Sequence, residues 1–288
     1  MVKFDNEFVR KLEYLYLISN RAFKGELLAR HRSDKRTGGV EFSEHRDYTE
    51  GDDLRYLDWN VFARTDNLLI KKFLEEEDLH IHLLLDTSQS MDMGICNKLD
   101  RAREITAALA YIALADGDCV SLTTFDSRLR SELAPVRGRQ NIFHFLRFLE
   151  SVQSCGAETD LHTVCHEFIT RRPRRGLVVL ISDFFDPRGW QKAVDLLRIQ
   201  QYKPNLIALY DSSDASPELR GDQTLVNVET GEYRLVTVNN ALLSRYKRAF
   251  EKFVGELIAW CRRHGFHGAA TNSRVPFDKF LLNMMERQ

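Results

Sequence analysis

Residues 79–91 read Leu79-His80-Ile81-His82-Leu83-Leu84-Leu85-Asp86-Thr87-Ser88-Gln89-Ser90-Met91. The first seven positions are mostly apolar and contain no turn former, which predicts a strand ending at Asp86. A polar D-x-S-x-S turn follows, and then residues 98–115, with Leu99, Ile105, Leu109 and Ile112 among alanines, predict a helix. Strand, polar turn and helix in that order make up half of a parallel βαβ unit. Strands covered by helices on both faces read as unbroken apolar runs, and Leu177-Val178-Val179-Leu180-Ile181 is such a run.

Working outward, residues 120–125 predict a strand, and 129–133 are a candidate for another. Residues 141–152, a segment from about Asp160, and 190–200 predict helices, and 206–210 closes the unit as a strand. The expected fold is therefore α/β: a doubly wound, mostly parallel sheet with helices on both faces. N-terminal to it, residues 6–23 place Phe8, Leu12 and Leu15 at helical spacing. A basic stretch, 30–36, and Gly38-Gly39 read as a loop. Residues 40–75 are charged and aromatic, with a β-strand predicted at 68–74. After Ser212, segments 224–228 and 233–238 flank Glu229-Thr230-Gly231-Glu232 as a hairpin. A long helix is expected from about 241 to 264, and Pro276 opens a short final one. These changes of character divide the chain into 1–76, 77–212 and 213–288.

Composition narrows the function. Of 288 residues, 41 are Lys or Arg and 42 Asp or Glu, a net charge of -1, so no global basic field favours nucleic acid. Eighteen Phe, nine Tyr and three Trp exclude disorder of the whole chain. The longest apolar run, 107–115, is shorter than the ~18 residues of a membrane span, and the first residues lack a signal-peptide pattern. Five scattered cysteines without C-x-x-C fit a reducing cytoplasm, the expected location.

The D-x-S-x-S turn lies where open α/β sheets bind ligands, at the carboxyl end of a strand. Two further loops are expected at the same edge: Gly156-Ala157-Glu158-Thr159-Asp160 before a helix, and Ser182-Asp183 after the buried strand. Oxygen-only groups of this kind suit a hard divalent cation, Mg²⁺ or another such as Mn²⁺ or Ca²⁺. Ser88, Ser90 and Thr159 would hold it through hydroxyls, and Asp86 and Asp183 would orient waters and hydroxyls around it. A plainer alternative is a βα turn in which Ser88 caps a helix and Asp86 accepts backbone N–H groups.

Asp86-Thr87-Ser88-Gln89-Ser90-Met91, with the Thr159 and Asp183 loops, resembles the metal-ion-dependent adhesion site of von Willebrand factor A domains. Upstream, Glu41-Phe42, Arg46-Asp47-Tyr48, Gly51-Asp52-Asp53, Arg55, Asp58-Trp59 and Ala63-Arg64-Thr65 resemble the signature of a bacterial von Willebrand A-like family, the fifty-eighth catalogued domain of unknown function. Lys98 with Ala102, and Gly117-Asp118, resemble it too, and the likeness spans about 25–285. The resemblance implies a metal-bridged interaction module acting with a MoxR-type AAA+ ATPase to remodel or mature a further, unidentified client protein. One departure stands out: Ala157-Glu158 replaces the paired glycines usual before the metal-site threonine. Glu158 then either joins the coordination sphere or disfavours an acidic ligand.

The block 41–65 has its own reading. Arg46, Arg55 and Arg64 alternate with Asp52, Asp53 and Asp58, a pattern for a charge-paired hairpin held by Tyr48 and Trp59, or for a docking surface.

The rival function is a metal-dependent phosphohydrolase with Asp86 as nucleophile. Ser88 stands where that chemistry wants a second acid, and the sequence presents no lysine in a matching loop. There is no phosphate-binding G-x-x-x-x-G-K-[ST] loop and no G-x-S-x-G elbow. His162 and His166 share a helical face but lack a third zinc ligand. His80 and His82 are expected to be packed or half-exposed on one strand face, and Arg171-Arg172-Pro173-Arg174-Arg175 forms a basic turn.

Overall fold

A computed structural model describes residues 4–22, 41–49, 53, 57–74, 79–94, 96–154, 158–171, 174–228 and 231–286. The expected loop at 30–39, together with Asp52 and Arg55, lies outside the described residues. In order, the elements are α1 (Asn6–Ala22), β1 (Glu41–Asp47), α2 (Trp59–Thr65), β2 (Leu69–Leu74), β3 (His80–Asp86), α3 (Lys98–Ala115), β4 (Cys119–Phe125) and β5 (Leu129–Arg137). Then follow α4 (Ile142–Ser151), α5 (Leu161–Arg171), β6 (Leu177–Ser182), α6 (Gln191–Ile199), β7 (Lys203–Tyr210) and α7 (Ser212–Ala215). The chain continues with β8 (Gly221–Val226), β9 (Tyr233–Val238), α8 (Asn240–Arg263), β10 (Gly268–Asn272) and α9 (Phe277–Glu286). There are two compact units: Met1–Ala22 with Leu79–Gln288, and Phe23–Asp78.

The larger unit is built on a six-stranded sheet ordered β10-β7-β6-β3-β4-β5, parallel except for β5 at one edge. This is the doubly wound α/β architecture expected from the sequence. β3 and β6 are buried along their whole length because helices cover both faces. On one face, Leu84, Val178, Leu180, Leu206 and Ala208 pack with Leu161, Val164 and Phe168 of α5, Val194 and Leu197 of α6, and Leu257 and Trp260 of α8. His80 and His82 point to this side and are buried; His82 Nδ1 lies 2.8 Å from Ser121 Oγ. The other face is covered by α3, whose buried Ala102, Ala107, Ala108, Ala110 and Ala113 permit close approach to the sheet. Outside α3 lie α1, α4 and α9.

Two features differ from the expected divisions. The helix α1 packs with the sheet unit, not with the charged segment after it: the Phe8 ring centroid lies 4.9 Å from that of Phe277 of α9 in a tilted pair, and Tyr16 meets Tyr111 of α3 edge-on at 6.2 Å. At the other end, the C-terminal segment supplies β10, an edge strand of the same sheet, so residues 213–288 are not a separate attachment. Their hairpin, β8–β9, is formed as expected with Val226 opposite Tyr233.

In the smaller unit β1 and β2 pair antiparallel, with Arg46 opposite Ile70 and an irregularity between Phe42 and Glu44. Leu57 bridges to Ile70, and Asp58 caps α2 by accepting N–H bonds from Asn60 and Val61 at 3.0 and 3.3 Å. Among the described contacts Asp58 and Arg64 are not paired with each other: Arg64 is exposed and its Nε–H donates to Asn60 O at 3.1 Å. Trp59, expected as an anchor, is 60% exposed and meets Phe62 edge-on. Asp53 is exposed as well.

Candidate metal centre

From β3 the chain passes to β4 and β5 on one side, then crosses to β6 on the other. The point where the winding reverses lies between β3 and β6, where open sheets leave a crevice beyond their carboxyl ends. Asp86 ends β3 and Ser182 ends β6, and both are fully buried. Ser182 Oγ donates to Asp86 Oδ2 at 2.5 Å, and the Ser88 N–H donates to Asp86 Oδ1 at 2.9 Å. Asp86 therefore orients the loop after its own strand and ties it to the next.

The turn after β6 is tight. Phe184 adopts a φ of 60°, a left-handed conformation that costs a bulky residue free energy. Its N–H donates to Ser182 Oγ at 2.9 Å, and the Phe185 N–H donates to Asp183 Oδ1 at 3.1 Å. Asp183 is thereby turned inward, where Lys98 Nζ donates to its Oδ2 at 2.8 Å and to Asp214 Oδ2 at 3.2 Å. Lys98 opens α3 and is almost fully buried, with its ammonium 5.5 Å from the Phe185 ring centroid. Burial works against its charge, but Asp183 and Asp214 outweigh burial and hold its pKa above the ordinary value. Asp211 fixes the neighbouring turn: it caps α7, accepts the N–H and O–H of Ser213, and accepts Ser273 Oγ at 3.2 Å. Despite burial, these donors hold its carboxyl well below the usual range.

The carboxylates thus outnumber their cation: Asp183 and Asp214 share Lys98, and Asp86 feels the charge of Asp183 without an ion pair among the described contacts. Burial, with the Asp183 charge, pushes the Asp86 pKa up to about 7. An excess of buried negative charge is relieved by a proton or by a cation.

Three hydroxyls belong to the loops at this edge of the sheet. Ser88 precedes a 3₁₀ turn, Gln89–Asp92, yet its side chain makes no capping bond. Its Oγ instead lies 3.0 Å from Ser90 Oγ. Thr159 is buried, and its Oγ1 has no hydrogen-bond partner among the described residues. A buried hydroxyl without a partner is costly in a folded protein unless something else binds it. The Thr159 loop is fixed to the same edge by the Asp160 N–H donating to Asp126 O at 3.4 Å and by the Leu161 N–H donating to Asp186 Oδ2 at 2.8 Å. Its preceding residue Glu158 is exposed.

The oxygen chemistry of these side chains suits a hard cation. Among the described residues, no group of three or more His, Cys, Asp and Glu side chains is arranged to hold a metal ion. That result also covers His162 and His166, which are exposed on α5. Lys98 is the residue that sequence reasoning left out of the site chemistry. A lysine opening a helix reads as surface, and only the fold brings it to Asp183, 85 positions away.

The chain is 27% identical over 249 residues to the uncharacterized protein Rv1480 of Mycobacterium tuberculosis, covering 85% of this chain and 78% of that one. It is 24% identical over 154 residues to the uncharacterized protein YeaD of Bacillus subtilis, covering 50% and 36%. Among solved structures, BatB from Bacteroides thetaiotaomicron aligns with a TM-score of 0.41 at 14% identity, over 72% of this chain and 99% of that one. Proximal thread matrix protein 1 from the mussel byssus, in a form described as having a zinc-occupied MIDAS motif, aligns with a TM-score of 0.41 at 14% identity, over 73% and 44%. The family described as protein of unknown function DUF58 matches residues 44–253, and the chain belongs to that family.

Proposed function

We propose that the protein is a metal-dependent interaction module. A divalent cation, Mg²⁺ or a similar ion, would be held by the hydroxyls of Ser88, Ser90 and Thr159. Asp86 would orient the Ser88 loop from beneath, and Asp183, already paired with Lys98, would add negative potential rather than a direct bond. The observation that carries this reading is the buried Thr159 hydroxyl without a partner. It is joined by a Ser88 hydroxyl that its own turn does not use as a cap. An ion bound mainly by neutral hydroxyls keeps most of its charge, so a carboxylate from another protein is a natural completing ligand. The resemblance stated above suggests a MoxR-type AAA+ ATPase as partner, and the scattered cysteines suggest a cytoplasmic setting. Among the described residues, no helix is long and apolar enough to cross a membrane.

Family membership favours an interaction module over an enzyme. The phosphohydrolase alternative gains a lysine from Lys98, contrary to the sequence expectation. That ammonium, however, is enclosed between Asp183 and Asp214 and is not presented to a substrate. Ser88 still occupies the place of the second acid.

Isothermal titration of Mg²⁺ or Mn²⁺ into wild type and into the Ser88→Ala/Ser90→Ala variant tests the reading. Heat of binding in wild type and none in the variant supports it; equal affinities sink the assignment. Pull-down of the cognate ATPase with and without chelator then tests the partner.

A further inference from the structure

The three hydroxyls of the proposed metal centre come from two segments far apart in sequence. Ser88 and Ser90 share one 3₁₀ turn, closed by the Met91 N–H donating to Ser88 O at 3.1 Å and the Met93 N–H donating to Ser90 O at 3.3 Å. Thr159 belongs to the segment between α4 and α5. Mg²⁺ accepts ligands over a narrow range, about 2.0–2.1 Å, in near-octahedral geometry. One ion can engage both segments only if their spacing is fixed.

Asp92 spans the two segments. It is the last residue of the 3₁₀ turn, next to fully buried Met91. Its Oδ2 accepts the Ser154 O–H at 3.0 Å, across 62 positions of sequence. Its Oδ1 accepts an N–H of the Asn97 side chain, and Asn97 Oδ1 in turn accepts the Asp100 N–H at 3.1 Å as the cap of α3. The carboxylate is therefore held from the start of α3 on one side and reaches the Thr159 segment on the other. Two residues before Ser154, Val152 O accepts a guanidinium N–H of buried Arg103 from α3. Beyond Thr159, the Asp160 and Leu161 N–H groups donate to Asp126 O and Asp186 Oδ2. Thr159 thus lies between pins on both sides, and Asp92 ties the nearer pin to the turn that carries Ser88 and Ser90. Asp92 is exposed and Ser154 half-buried. A hydrogen bond that water can replace adds little to global stability. What this one fixes is the distance between two loops.

We infer that Asp92 is a positioning residue for the cation, and that its bond to Ser154 sets the spacing between the Ser88–Ser90 turn and the Thr159 segment. The inference rests on the reading of these hydroxyls as the metal centre. Both carboxylate oxygens of Asp92 are occupied by protein donors, so it acts through the loops and not as a ligand.

The test is calorimetric titration of Mg²⁺ into the full chain, paired with thermal melts in chelator. Ser154→Ala removes the bond without changing any charge, and should weaken Mg²⁺ binding about three- to tenfold. Its Tm in chelator should stay within about 2 °C of wild type. Ser154→Thr keeps the hydroxyl and should bind nearly as wild type does. Asp92→Ala should lose at least as much affinity as Ser154→Ala. Asp92→Ala/Ser154→Ala should bind no more weakly than Asp92→Ala alone, because both changes act on one bond. Wild-type affinity in Ser154→Ala overturns the inference, and so does a double variant whose loss is the sum of the single losses. A fall of more than about 5 °C in the chelated Tm of Ser154→Ala also overturns it, since the bond would then maintain the fold and not the site. If Ser154→Ala binds as wild type while Ser88→Ala/Ser90→Ala does not bind, the metal reading stands and only the role of Asp92 falls. Absence of Mg²⁺ binding by wild type removes both together.

Discussion

Lys98 Nζ lies 2.8 Å from Asp183 Oδ2, and both side chains are at most 3% exposed. The pair joins the start of α3 to the turn after β6, across the point where the sheet reverses its winding. It also changes the meaning of Asp183, which sequence reasoning placed in support of a metal ion. An acid already neutralised by a buried ammonium is a poor direct ligand, but it remains a good brace for the loop beside Asp86.

Lys98→Met should destabilise the protein by about 3–5 kcal/mol, because Asp183 is left buried without its cation. Lys98→Met/Asp183→Asn should recover much of the loss, since the partners are then removed together. Urea denaturation of the three proteins checks this. A single variant as stable as wild type would mean that Asp183 is solvated or protonated in the native state.

The pH dependence of metal binding follows from Asp86, whose pKa burial and Asp183 push up to about 7 from 3.8. A carboxyl with a raised folded pKa holds its proton more tightly in the native state than in the unfolded chain. The metal-free protein keeps that contribution at acidic pH and loses it as pH rises through about 7. A divalent ion favours the ionised form and reverses the trend. Mg²⁺ should therefore raise Tm more at about pH 8 than at about pH 6. Scanning fluorimetry at both pH values, with and without Mg²⁺, measures it. A larger increment at the lower pH would contradict the placement of the ion near Asp86.

Much of this architecture was legible in the sequence because the central strands are buried on both faces. His80–Asp86 and Leu177–Ser182 show it as near-continuous apolar runs, and α3 was bounded correctly. β10 was not legible, since Gly268-Ala269-Ala270-Thr271-Asn272 carries no large apolar side chain. The structure gives the reason: a Cβ at Gly268 would lie 2.8 Å from Cys261 Sγ, so α8 packs too closely for bulk. β1, Glu41–Asp47, was legible only as part of a charged hairpin within 41–65, because its alternation is charged; among the described residues it pairs with β2. At the candidate site the hydroxyl and carboxylate loops followed from strand ends, which a sequence reveals. Lys98 did not, because its meaning depends on which loops meet in space.

Asp58 and Arg64 should behave differently from each other. Asp58 is buried and caps α2 through the N–H groups of Asn60 and Val61, so Asp58→Ala should cost about 0.5–2 kcal/mol and Asp58→Ser less. Arg64→Ala, at an exposed position, should stay within about 0.5 kcal/mol of wild type. Thermal melts of the three variants decide it. A loss in Arg64→Ala matching that in Asp58→Ala would show that the two charges act together.

Glu158 separates a ligand from a bystander. It adjoins buried Thr159 yet is exposed, and it stands in the place of a glycine in the resembling loops. If its charge acts only through solvent, Glu158→Gln should change Mg²⁺ affinity by no more than about twofold at moderate salt. The same variant should tighten binding of an acidic partner, because an exposed negative charge beside Thr159 has gone. The gain should appear mainly in association rate and fade as salt is raised. Titration calorimetry with Mg²⁺ and stopped-flow binding of an acidic peptide provide the two readouts. A large loss of Mg²⁺ affinity in Glu158→Gln would place this carboxylate in the coordination sphere. Glu158→Gly must be compared with it, since glycine also loosens the backbone that positions Thr159, whereas glutamine removes the charge alone.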